Sequence, residues 1–340
     1  MSGFQLVVWA VVPPLVLLVY YYRHVAVAPP LPKLLLLFVI GALSGFVALA
    51  LEWGFEHLTS WVVNWEQITR SLPGVALRQL VEVGPIEEGS KLSGFVLISW
   101  YLFRWKRSAV GRYRSLARSR RAHALALRPS SVFLSTTSVA LGFAAEENWV
   151  YLSNGTASIF DRLIGTPVHA LFSAPWGYAL GVVIGSTFHS SGNRSVVARA
   201  WLNAVICHAL VNVLSSAWRY SQPLHFLSYG LFPFLLWMIW RMEGLLRRSQ
   251  TKPPITLISG YTRIHRYWQR GLALFALALG GNAIFGIFLL ARSLTPLSHP
   301  VMFSPDLWWF IVSRFVLNLI PGLIAWGIYR YLRHAAQRQI

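Results

Sequence analysis

The chain has 340 residues, of which 55% are hydrophobic and only 12% charged, with a mean hydropathy of +0.52. An ordinary soluble domain is roughly 25% charged, so this composition excludes a soluble globular protein. The formal charge of +19 would suggest a nucleic-acid partner on a soluble chain, and the single cysteine, Cys207, excludes an internal disulfide and any cysteine-rich metal knuckle.

A helix needs about 20 apolar residues to cross a bilayer. Taken in chain order, such stretches lie near 4–22, 33–55, 79–103, 131–152, 165–188, 200–219, 223–241, 271–291 and 307–329. The first has no basic residue before it and no small-residue cleavage site after it, so it reads as a span and not as a removable signal. Prolines interrupt several stretches, among them Pro13, Pro14, Pro85, Pro167, Pro175, Pro233 and Pro321, which a helix bundle tolerates when neighbours satisfy the freed carbonyls. The expected fold is all-α: a polytopic membrane bundle of about nine transmembrane helices.

Basic residues gather on the cytoplasmic side of membrane proteins. Alternate connections carry 23 Lys and Arg on one side and five on the other, with Lys91 and Arg314 inside spans. This sorting predicts an N-terminus outside and a C-terminus in the cytoplasm, in the plasma membrane of a cell. It also accounts for the nine basic residues between Arg104 and Arg128, which are expected to meet anionic membrane lipids and no nucleic acid. The chain divides into an N-terminal part (1–74), a core (75–241) and a C-terminal part (242–340) with the last two spans.

Charged groups at mid-bilayer cost roughly 2.5–3.5 kcal/mol each on insertion scales and are functional candidates by default. Glu82, Glu87 and Glu88 fall on the third stretch and Glu146 and Glu147 on the fourth, while among the histidines only His169 and His208 sit well inside a span. Lys91 is i+4 from Glu87 and i+3 from Glu88, so it reaches either carboxylate along one helix face. The two glutamates diverge by about 100°, which lets one face a cavity while the other takes a fixing contact. A buried structural ion pair would explain part of this cluster, but two carboxylates against one ammonium leave a charge over.

Phe143 and Glu147 share a face at i, i+4 and Glu146 points away from it; alone, such a site also fits a proton relay in a transporter. His169 alone also fits an interhelical hydrogen bond. His208 and Asn212 are again i, i+4, whereas the adjacent Cys207 faces apart and reads as packing. At 1.5 Å per residue Glu87 lies about 12 Å inside the membrane, and Glu147, His169 and Asn212 fall in the same outer half. Carboxylates and imidazoles converging in one wet pocket suit either a Zn²⁺ site of mixed ligands or a metal-free site in which a glutamate activates water.

These motifs resemble those of the PrsW-type intramembrane proteases, relatives of the type II CAAX prenyl proteases. Glu87, Glu88 and Lys91 match an EExxK motif, Phe143 to Glu147 an FxxxE motif, His169 a third-motif histidine, and His208 to Asn212 an HxxxN motif. The resemblance covers roughly residues 75–240 and implies hydrolysis of peptide bonds in membrane-anchored proteins, for example anti-sigma-factor-like substrates. It implies that Glu87 or Glu88 activates the water and that Glu147, His169 and His208 bind a metal, Zn²⁺, or orient that water. Asn212 would help to stabilise the oxyanion. The alternative from another class is a noncatalytic membrane scaffold of the same superfamily fold; a proton-coupled transporter ranks behind both. There is no HExxH, and Asp161 and Asp306 lie in loops, which removes the zincin and aspartyl-dyad chemistries.

Overall fold

The computed structural model describes residues 2–110, 128–185, 192–253, 255–294 and 304–338. Positions 111–127 of the basic run, with His123, and also His189 and His299, lie outside the described residues. Among the described residues the chain is helical, without strands. The helices are α1 (Gly3–His24), α2 (Leu31–Thr59), α3 (Trp65–Ile68), α4 (Leu72–Arg78), α5 (Gly84–Val110), α6 (Pro129–Ser153), α7 (Ile159–Gly185), α8 (Gly192–Ser216), α9 (Leu231–Ser249), α10 (Arg263–Leu294) and α11 (Pro305–Gln337).

Among the described residues six helical segments are long and apolar enough to cross a membrane: α1, α2, Ile159–Ile184, Ser195–Arg219, α10 and α11. The expected stretches at 79–103, 131–152 and 223–241 also contain helix but do not reach that composition. The reason is chemical. α5 carries Glu87, Glu88 and Lys91, α6 carries a run of hydroxyls with two glutamates, and α9 follows a 3₁₀ segment (Leu224–Gly230) and ends in charges. A helix that faces protein on all sides has no need of the apolar surface that lipid demands.

The chain forms two compact units. One comprises 1–213 with 245–252, and the other 214–244 with 253–340. In the first, α6 is the central rod, buried along most of its length and packed against α1, α2, α5 and α7. Its contact with α2 is set by glycines on both sides. A Cβ at Gly41 would strike the Val139 carbonyl, and one at Gly142 would strike the Phe38 carbonyl, so the two backbones touch where side chains would hold them apart. On α7, Gly181 likewise meets the Pro129 backbone of α6, and Gly177 leaves room for the Thr136 side chain. The hydroxyls of α6 find carbonyls: Ser138 donates to Leu34 of α2 at 2.7 Å and Ser131 to Val27 at 2.9 Å. Each such bond removes a polar group that hydrocarbon could not satisfy.

The buried face of α2 repeats at Leu34, Leu37, Phe38, Gly41, Ser44, Gly45 and Ala48, while Leu35, Leu36, Val39, Leu43, Phe46 and Val47 are exposed. An apolar stripe of that size is a liability in water and the expected surface in lipid.

Between α4 and α5 the chain makes a π turn, Gln79–Val83, closed by the Gly84 amide donating to the Gln79 carbonyl. Pro85, just beyond, has no amide to offer the preceding turn, which favours the widened ladder. The expected third span therefore begins with a bulge that turns Gln79 and Glu82 inward. The second unit holds α10 packed on α11, with Gly281 against Pro233 and Gly286 against Asn318.

Candidate active site

Four helices of the first unit deliver polar side chains to one place. Lys91 of α5 is fully buried, and its ammonium lies 2.7 Å from Glu88, 3.2 Å from Glu87 and 3.1 Å from His169 Nδ1. It also sits 4.0 Å above the ring of Phe143 from α6, whose negative face suits a cation. A charge taken fully out of water is stable only when surrounded in this way.

Glu88 is saturated. Besides Lys91 it accepts the Trp176 indole N–H at 3.0 Å and the Ser173 hydroxyl at 3.2 Å, both from α7, and it is 0% exposed. Glu87 is different. Its side chain is 10% exposed, and apart from Lys91 its oxygens stand 3.8 Å from His208 Nε2 and 3.9 Å from His169 Nδ1. Those gaps exceed a direct hydrogen bond and suit bridging water. Of the two adjacent glutamates, Glu88 is thus held by three donors and Glu87 by Lys91 alone.

The tautomer of His169 follows from its partners. An ammonium only donates, so Nδ1 beside Lys91 accepts; Nε2 then carries the hydrogen and donates to Glu147 Oε2 at 2.5 Å. The same Glu147 oxygen accepts from Arg162 Nη2 at 2.7 Å. His208 of α8 lies flat on Phe172, ring centroids 4.5 Å apart, with Nδ1 3.7 Å from Glu88. Cys207 is buried beside it. Glu146 turns to the other side of α6, against Gly45 of α2.

Glu87, Glu88, Lys91, Glu147, His169 and His208 are thus brought together. Asn212 donates to Gln79 of the π turn at 2.8 Å, which ties α8 to the segment leading into α5. The motif reading passed over Arg162, Asn148, Ser173, Trp176 and Glu52. On α7, Arg162, Thr166, His169, Ser173 and Trp176 follow one another at spacings of four and three, a single stripe that was readable from the histidine outward. Glu52 of α2 lies within electrostatic range of Glu82, Glu87 and Glu147.

The set Glu147, His169 and His208, expected as metal ligands, does not enclose a common point in this arrangement. Glu147 meets Nε2 of His169 on the side where Arg162 binds, the other nitrogen of that ring is turned to Lys91, and His208 faces Glu87 and Glu88. Among the described residues no group of three His, Cys, Asp or Glu side chains forms a metal-binding cluster. Glu147 is engaged with Arg162 and His169 with Lys91, so no step below passes through a metal.

A model of the family described as PrsW family intramembrane metalloprotease matches residues 29–238, a segment that contains α2 and every side chain named above from Glu52 to Asn212. The chain is also 24% identical over 250 residues to "Protease PrsW" of Shouchella clausii (strain KSM-K16), covering 72% of this chain and 98% of that protein. No solved structure matches. The chain belongs to the PrsW family of intramembrane metalloproteases and is a membrane protease.

Proposed function

We propose that the protein is an intramembrane endopeptidase that cleaves single-pass, membrane-anchored proteins, with Glu87 as the group that activates water. The observation that carries this reading is the contrast between the two adjacent carboxylates. Glu88 accepts three hydrogen bonds, from Lys91, Ser173 and Trp176, while Glu87 accepts one, from Lys91, and faces two imidazoles. A general base needs a lone pair within reach of the water it deprotonates.

In this mechanism Glu87 takes a proton from water as the oxygen attacks the scissile carbonyl carbon. The resulting oxyanion is met by donors fixed in a water-poor site, where preorganised hydrogen bonds are worth most. His208 of α8, with Nε2 3.8 Å from Glu87, supplies one; Asn212 shares that helix face, but its amide nitrogen is bonded to Gln79. Glu87 then returns the proton to the departing amine as the C–N bond breaks. Lys91 orients Glu87 and holds Glu88 in place. The chain is placed in the plasma membrane with nine spans and its N-terminus outside, so that the site opens toward the exterior half of the bilayer. Anionic lipids meet the basic cytoplasmic loops.

Membrane proteomics of cells carrying the wild type or Glu87→Gln tests this. The wild type is expected to release fragments of a membrane-anchored protein that accumulate intact with the variant, at equal amounts of inserted enzyme. Identical fragment patterns with both would refute the assignment.

A further inference from the structure

Pro14 lies inside α1 and is buried. A proline has no amide hydrogen, so the carbonyl four residues before it, that of Ala10, has no partner within the helix. In a membrane such a group must be satisfied from elsewhere. Asn148 of α6 does so, its Nδ2 donating to the Ala10 carbonyl at 3.3 Å. The same nitrogen donates to Thr166 Oγ1 of α7 at 2.9 Å, and Asn148 is fully buried.

With its amide nitrogen anchored on two helices, Asn148 presents Oδ1 in one direction, and there it accepts Arg162 Nε at 2.7 Å. The guanidinium lies over the Tyr151 ring, 4.7 Å from its centroid, and directs Nη2 at Glu147 at 2.7 Å. The two nitrogens of one planar fork thus hold an amide and a carboxylate, a geometry a lysine cannot copy. Glu147 in turn receives His169 Nε2 at 2.5 Å, and His169 Nδ1 faces Lys91 at 3.1 Å.

We propose that Asn148 and Arg162 are positioning residues, seated on the carbonyl that Pro14 frees in α1, and that they fix Glu147 so that His169 is held as its Nε2–H tautomer. The proposal rests on the reading of Glu147 and His169 as site groups, but it concerns their geometry and not the cleavage itself. Helix α1 then belongs to the site, though it contributes no ionisable group to it. A carboxylate beside an arginine can be fixed in several rotamers. The asparagine removes that freedom by choosing which edge of the guanidinium faces Glu147, and the proline makes the asparagine's own position unique.

The test is ¹⁵N NMR of histidine-labelled protein in lipid nanodiscs, with the His169 signals assigned by their loss in His169→Gln. The wild type is expected to show the Nε2–H form with a strongly deshielded proton. Asn148→Leu and Arg162→Lys are each expected to raise the Nδ1–H form about tenfold, the effect of losing one charge-assisted hydrogen bond, with thermal unfolding confirming a folded protein. Pro14→Ala, which returns an amide to the Ala10 carbonyl, is expected to move the signals the same way and less far. Unchanged His169 signals in both Asn148→Leu and Arg162→Lys would overturn the proposal; should Asn148→Leu fail to insert, Arg162→Lys alone decides. The spectrum is independent of turnover, so a Glu87→Gln enzyme that still cleaved would refute Glu87 as the base, and absence of any cleaved substrate would refute the peptidase reading, neither touching this proposal.

Discussion

Lys91 occupies the centre of the site and decides what else can. Its ammonium stands within hydrogen-bond distance of Glu87, Glu88 and His169, and a second cation brought to the same three groups would meet it at like-charge range. Arg162 plays the same part on the far edge of His169, through Glu147. The site carries its own fixed positive charges, Lys91 and Arg162, against the groups a metal would use. We therefore expect the purified protein in detergent to contain less than one zinc per chain and its cleavage activity to survive chelation. Stoichiometric zinc that disappears in His169→Ala would show that Lys91 gives way to a metal. The key acids were legible because a carboxylate inside an apolar stretch is conspicuous: Glu87, Glu88 and Glu147 announce themselves. Asn148 does not, being neutral, and Arg162 passed for a loop charge because it stands only three residues into α7. Their importance lies in contacts between helices distant in sequence, Ala10 with Asn148 above all, which no local pattern carries.

At the scale of the elements, small residues decide how near the polar groups come to one another. Gly41 and Gly142 let α2 and α6 touch backbone to backbone, and this brings Gly45 against Glu146 and keeps Glu52 of α2 within range of the site acids. Gly142→Val places a branched side chain against the Phe38 carbonyl and is expected to destabilise the protein by about 1–3 kcal/mol, as overpacking does in tight cores. Gly89 offers the contrast. It lies inside the EExxK motif, yet a Cβ there meets nothing within 4 Å. Gly89→Ala is expected to insert, remain active and gain about 0.5–1 kcal/mol from reduced chain entropy. Thermal unfolding in detergent distinguishes the pair; equal melting temperatures would mean that the α2–α6 approach is looser than the backbone contact requires. The helices themselves were readable from apolar length, but the π turn at Gln79–Val83 was not, since its cause is the combination of Pro85 with the Gln79–Asn212 bond to another helix.

For the whole molecule, the apolar stretches of the sequence and the composition of the helices give different counts of spans, and the difference has a physical origin. Among the described residues six helices qualify as spans by length and composition. The remaining long helices, α5, α6 and α9, are those in which polar side chains serve the protein interior or a helix end. A central helix such as α6 is solvated by other helices, so a scale built on transfer to lipid underrates it. Basic residues are free of that bias, because they sort by the cost of carrying charge across the membrane. With nine spans they separate as 23 against five; with α5, α6 and α9 left out they separate as 24 against five, and the two counts differ in the side on which the N-terminus falls, outside for nine and cytoplasmic for six. The expectation is nine crossings. A fluorescent protein fused after Ile340 should fold and emit in the cytoplasm, while a cysteine placed at Ser2, with Cys207 replaced by Ala, should react with a membrane-impermeant maleimide on intact cells. Cysteines at Ser71 and Ser221 should react likewise, and one at Thr251 only after lysis. Labelling of Thr251→Cys on intact cells, or a dark C-terminal fusion, would reverse the orientation and turn the mouth of the Glu87 site toward the cytoplasm.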